Sequence, residues 1–306
     1  MALNIGVDVG QRVKCHPDYS DKQSDLERGD HMEFKTILVN LDIDEPIAPT
    51  VNAAVELARR FNAALVALCA ARVPLSVTAS GGGILVVEAW QRMRQELENR
   101  IAEMRAEFDR LTAEKVLTQW RDSLADPSHA VVRAATMADL VVVGARRGAS
   151  TGDAYRTADP NDVVLRAGRP MLVLANGVDG VKASRICIAW KDSREARRAT
   201  VDALPLLALA DEVTVVNVGV GVDDVEWARK GVADVVGFLD MHGIQAKSEL
   251  IASADEGPSL LAYAEERDID LVMSGAYGRT RLQEWAFGGM TRSLLDATKL
   301  HRFMSS

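Results

Sequence analysis

Cysteine is scarce in this 306-residue chain: Cys15, Cys69 and Cys187 are an odd number with no close pair. That excludes a disulfide scaffold and a zinc ribbon, and it fits a reducing cytoplasm. No GxxxxGK[ST], HExxH or CxxC motif is present, and no GxGxxG follows the first strand pattern. The five histidines (His16, His31, His129, His242, His301) share no spacing that suits a metal site or a triad. No carboxylate pair stands out as general acid and base. No apolar run approaches the roughly 20 residues that span a bilayer. The N-terminal stretch also lacks the basic and long apolar segments of a secretory signal. Acidic residues outnumber basic ones by 44 to 36, a net charge of −8. Nucleic acid and membrane are therefore poor partners.

What is present is an ordinary soluble balance, 48% hydrophobic and 26% charged, at a length that suits roughly two domains. Residues 1–32 are mostly polar toward their end and read as a flexible extension, with Met32 a candidate start of the folded part. Beyond it one unit is written twice. KTILVNLD (35–42) and SRICIAWKDS (184–193) are short apolar strands ending in polar residues. TVNAAVELARRFN (50–62) and REARRATVDALPLLALA (194–210) follow as helices, then ALVALCA (64–70) and EVTVVNV (212–218) as strands. ADPSHAVVRAATMADLVVVGARRG (125–148) aligns with ADEGPSLLAYAEERDIDLVMSGAYG (254–278), each a helix opening near Pro and then a strand ending in Gly. Continuous apolar strands alternating with helices predict an α/β fold, two tandem doubly wound parallel sheets. The expected halves are 33–177 and 184–306, joined by a linker at 178–183. A longer helix at 86–114 carries one apolar stripe through Trp90, Met93, Leu97, Ile101, Met104, Phe108 and Leu111. Packing on its own sheet explains that stripe, with a partner-helix seam as the other use. Cys69 and Cys187 fall inside strand patterns and read as inert core thiols.

One segment points to chemistry. In GAYGRTRLQEWAFGGMTRSLLDAT (275–298), Gly275 and Gly278 follow a strand, and Gly288-Gly289 precedes Met290-Thr291 at a helix start. Glycines allow backbone N–H groups to approach an anion, and a helix N-terminus adds its own unpaired N–H groups. Two tight turns would account for the same glycines. In a doubly wound sheet such a loop lies at the carboxyl edge, where ligands bind.

These residues resemble the universal stress protein family, whose nucleotide-binding members carry G-x2-G-x9-G-[ST] after the fourth strand. Gly275, Gly278 and Gly288 match; Gly289 stands where Ser or Thr is expected. The resemblance implies a five-stranded sheet of order 3-2-1-4-5 in each half, with a nucleotide between the ends of strands one and four. It implies an acidic residue at the end of strand one: Asp42 fits in half one, whereas Lys191, after Trp190, holds that place in half two. Half one keeps Gly144, but Arg147 replaces the second glycine and Ala158-Asp159 replaces the Gly-[ST] pair. Half one therefore reads as a degenerate domain. The expected ligand is ATP or a related adenine nucleotide, a small anion held without catalysis in half two. Gly275, Gly278, Arg279, Gly288, Gly289, Met290, Thr291, Trp190 and Lys191 are the candidate contacts. No metal is assigned, weak ATPase activity stays open, and the expected role is regulatory, in the stress response. The alternative is an interaction module that needs no nucleotide. Half one ends in a fifth strand, RPMLVLA (169–175), whereas KLHRFMSS (299–306) reads as a weak strand at best. The expectation is a loose pairing of the two halves, an exposed edge on half one, and a homo-oligomer as one way to cover it.

Overall fold

Ten short strands, most of them apolar runs bounded by polar residues, form one sheet among the described residues. The computed structural model describes residues 33–74, 83–144, 153–177, 180–219, 225–276 and 289–306. The expected extension, Arg147, and the central glycine-loop residues lie outside them. In chain order the first half contains β1 (Thr36–Leu41), α1 (Ala48–Arg60), β2 (Ala64–Ala70), α2 (Gly83–Thr112) and β3 (Thr118–Ser123). It continues with α3 (Pro127–Ala134), β4 (Leu140–Val143), α4 (Pro160–Arg166) and β5 (Met171–Val173). The second half contains β6 (Arg185–Ala189), α5 (Arg194–Asp202), α6 (Leu204–Leu207), β7 (Glu212–Val218) and α7 (Val225–Met241). It closes with β8 (Ala246–Ile251), α8 (Glu256–Glu266), β9 (Leu271–Gly275), α9 (Gly289–Asp296) and β10 (His301–Ser305).

The sheet runs β3-β2-β1-β4-β5-β10-β9-β6-β7-β8. Each half thus has the order 3-2-1-4-5. Every pairing within a half is parallel, and β5–β10 is antiparallel. Helices cover both faces, as a parallel sheet of apolar strands requires. One face packs α1, α2 and α5 through residues such as Val51, Leu97, Met104 and Ala196; the other packs α3 and α4 through Val131 and Val163, and α8 and α9 through Leu260 and Leu294.

The stripe on α2 buries Leu97, Ile101, Met104 and Phe108 in that first core layer, which leaves those side chains no free seam for a partner helix. Met93, on the same stripe, is 38% exposed. Cys69 and Cys187 are buried, and desolvation pushes both thiols up to about 12, so neither forms a thiolate near neutral pH.

The C-terminal segment departs from expectation. Residues 301–305 form a buried strand, paired on both sides, that covers the edge of β5. Sequence hides this because two of its core positions are polar. Arg302 is 1% exposed, and its Nη1 donates to the carbonyls of Leu300 (2.5 Å) and Leu174 (3.5 Å). Burial alone brings its pKa down to about 10. His301 accepts at Nδ1 from the Ala175 amide at 3.1 Å, and it bonds the backbone of Gly180. Burial, with Arg302 adjacent, pulls the imidazole down to about 4. The connection between halves is equally anchored: Glu56 Oε2 accepts from the Val181 amide at 3.2 Å, and Arg60 donates to the carbonyls of Val181 and Lys182.

Candidate functional site

β6 and β9 lie side by side, and the helices that follow them leave on opposite faces: α5 inserts Ala196 into one core layer, and α9 inserts Leu294 into another. Such a point opens a crevice at the carboxyl edge of a doubly wound sheet. Here the crevice has a volume of about 710 Å³. Its walls come from the β6–α5 turn, the first turn of α8, the end of β9 and the start of α9. The equivalent crevice of half one, at the ends of β1 and β4, holds only about 160 Å³.

Six of the candidate residues meet around the larger crevice: Trp190, Lys191, Gly275, Gly289, Met290 and Thr291. Gly278, Arg279 and Gly288 lie outside the described residues. The six do different jobs. Trp190 is mainly an anchor, buried in the core with its indole nitrogen 3.5 Å from the Cβ position of Gly231 on α7. Lys191 is 75% exposed, and its ammonium stands 3.2 Å from Oε1 of Glu256, the first residue of α8. That pair spans the space between the end of β6 and the start of α8.

The two glycines at the ends of the loop contrast. A Cβ on Gly275 would stand 2.5 Å from the Ala196 amide nitrogen and 2.6 Å from the Glu195 carbonyl carbon. Gly275 therefore lets β9 touch the first turn of α5, a packing role rather than an opening for an anion. A Cβ on Gly289 meets nothing within 4 Å. Gly289 opens α9 with a clear approach to that helix's first N–H groups. Thr291, two residues further in, is buried.

Two residues that the sequence did not single out complete the crevice. Glu195 in the first turn of α5 and Ser274 in β9 are each 4% exposed and line it. Glu195 Oε1 and Ser274 Oγ have no hydrogen-bond partner among the described residues. The guanidinium of Arg194, itself mostly exposed, forms an ion pair with that carboxylate oxygen at 3.5 Å. One signal was available: Glu195 shares a helical face with Ala199 and Ala203, both buried, so it is a charge on an apolar stripe.

The smaller crevice of half one is edged by carboxylates. Asp159 caps α4, with Oδ1 accepting from the Asn161 amide at 2.9 Å, and Pro160 supplies no N–H. A carboxylate thus sits where the resemblance would put an anion's donors. Asp42 accepts from the Asp44 amide at 3.1 Å. Asp44 holds Arg156 through two guanidinium nitrogens at 2.6–3.0 Å, and this hydrogen bonding raises the Arg156 pKa. Gly144 leaves its Cβ position 3.3 Å from Thr50 Oγ1. Asp42 and Gly144 both line the smaller crevice. Among the described residues no group of three or more His, Cys, Asp or Glu could hold a metal ion, and no helix is long and apolar enough to cross a membrane.

Residues 33–174 match the family model described as the universal stress protein family. Among solved structures, a universal stress protein from Archaeoglobus fulgidus DSM 4304 superposes with a TM-score of 0.65 at 14% identity. The match covers 89% of this chain and 98% of that one. A functionally unknown protein from Pseudomonas aeruginosa PAO1 gives 0.54 at 15% identity, covering 89% and 92%. At such identities the likeness is one of fold. No curated protein matches the chain.

Proposed function

Residues 33–174 belong to the universal stress protein family, and from that premise we propose that the second half binds ATP or a related adenine nucleotide as a regulatory ligand, in a cytoplasmic stress response. One observation carries this reading. The larger crevice lies at the sheet's switch point, has about 710 Å³ of space and is lined by two buried polar atoms, Glu195 Oε1 and Ser274 Oγ, that lack a hydrogen-bond partner among the described residues. Buried polar groups are nearly always satisfied, so orphaned ones facing a cavity call for a ligand or bound water. Apolar side chains (Val216, Val218, Met290) suit a base, and the open start of α9 at Gly289 suits a phosphate.

Binding without turnover is part of the proposal. The carboxylates around the crevice are largely engaged: Glu256 pairs with Lys191, and Asp192 pairs with Arg197. Occupancy would instead bridge α5 to the directly packed pair α8 and α9 across the open space between them. The test is calorimetric titration of ATP into the wild type and Gly289→Asp. An aspartate there has room and is favourable at a helix start, so the fold should survive while its charge opposes phosphate. A loss of binding at least tenfold supports the reading. An equal affinity in both proteins, or no binding in the wild type, sinks it.

A further inference from the structure

Half one carries a separate cleft of about 130 Å³ that shares no lining residue with either crevice. Three arginines, Arg72, Arg100 and Arg156, line it with one carboxylate, Glu96, and an apolar wall that includes Val73 and Met93. The sequence scatters these arginines, and two short stretches of backbone gather them. Arg100 on α2 donates through Nε to the Ile43 carbonyl at 3.2 Å, and Arg156 grips the carboxylate of the next residue, Asp44. Arg72, just past β2, donates its amide to the Tyr155 carbonyl at 2.7 Å. Its guanidinium lies over the Tyr155 ring, 4.6 Å from the centroid.

The three guanidinium forks are not equally engaged. Asp44 takes Nε and Nη2 of Arg156. Glu103 accepts from Arg100 Nη1 at 3.4 Å, and Nη2 of that arginine has no partner among the described residues. The Arg72 side chain makes no hydrogen bond among the described residues; Asp126 forms an ion pair with its Nη2 at 3.6 Å. Stacking on an aromatic ring fixes the plane of a guanidinium and leaves its edge donors open. A carboxylate has two oxygens and is satisfied by one such fork. Donors that arrive from separate elements match a group with three oxygens and close to two negative charges. We propose that this cleft binds a phosphoryl group, free or carried on a small organic ester. Arg72 and Arg100 supply the open donors, and the wall at Val73 and Met93 receives the carbon side of an ester. Glu96, exposed on the same wall, opposes the anion and sets how tightly it is held.

The experiment is calorimetry on the full chain at low ionic strength, with inorganic phosphate, phenyl phosphate and acetate as probes. The wild type should hold phosphate about tenfold or more tighter than acetate. Arg72→Gln should lose about tenfold in phosphate affinity, and Arg100→Gln serves if that variant fails to fold. Glu96→Gln should gain several-fold, a change that no unfolded protein can show. Gly289→Asp, in the other half, should leave phosphate affinity within about twofold. Equal affinity for phosphate and phenyl phosphate assigns the cleft to the free ion, and tighter phenyl phosphate assigns it to an ester; either supports the proposal. No phosphate binding by the wild type, equal binding of phosphate and acetate, or binding that survives Arg72→Gln and Arg100→Gln overturns it. None of those three results touches the nucleotide reading of the second half, which the ATP titration decides.

Discussion

Gly275 and Glu195 are in backbone contact: a Cβ on the glycine would stand 2.6 Å from the glutamate's carbonyl carbon. This contact seats the first turn of α5 against the end of β9. It also sets the Glu195 side chain into the crevice.

Gly275→Ala should therefore destabilise the protein, because a methyl group has to displace backbone on both sides. Overpacking of this kind costs about 1–3 kcal/mol. Gly289→Ala, with open space around it, should be neutral or stabilising by up to about 1 kcal/mol. Urea unfolding of both variants decides it; equal losses would mean that Gly275 acts only as a turn.

The Lys191–Glu256 pair predicts a different sensitivity. Its lysine is largely solvated, so Lys191→Ala should change stability by less than about 1 kcal/mol. Glu256→Gln frees the lysine and removes a negative charge from the crevice wall. ATP affinity should rise several-fold at low ionic strength, and the gain should fade as salt is added. A gain that is independent of salt would contradict an electrostatic origin.

In half one, Asp159→Ala should cost about 1 kcal/mol, the usual value of a helix cap, whereas Asp159→Asn keeps the acceptor and should cost little. Thermal melting of the two variants tests this. Two equal losses would show that the charge, rather than the cap, is what α4 requires.

His301 sets a pH dependence. Its folded pKa, about 4, lies below the ordinary value of 6.5, so the unfolded chain takes up the proton first. Stability from the neutral ring is complete above about pH 6.5 and is lost as pH falls from there toward 4. The slope contributed is at most about 1.4 kcal/mol per pH unit. Asp270 tilts the other way: burial raises its carboxyl pKa despite amide bonds from Ser184 and Arg185. Denaturation series from pH 7 to 4 should show a shallower fall in His301→Gln than in the wild type.

Most of the fold was legible because β1, β4, β6 and β9 are apolar runs and their helices carry clear stripes. β10 was not, since His301 and Arg302 are polar residues buried by pairing on both sides rather than by their own hydrophobicity. At the site, the sequence found Gly275 and Gly289 but could not separate them. Nothing local distinguishes a glycine pressed against a helix from one facing open space. Glu195 was passed over because an acid in a first helical turn is ordinary; only its place on an apolar stripe marks it.

The seam between the half-sheets also sets a timetable. Leu174 beside β5 and Arg302 in β10 touch across 128 residues of sequence. A ribosome adding 5–20 residues per second takes on the order of ten seconds to make that stretch. Throughout that interval the newborn first half carries β5 as an open strand, able to pair with any passing chain. Pairing of β10 is thus the moment at which the β5 edge closes, and truncation just before it should trade solubility for aggregation.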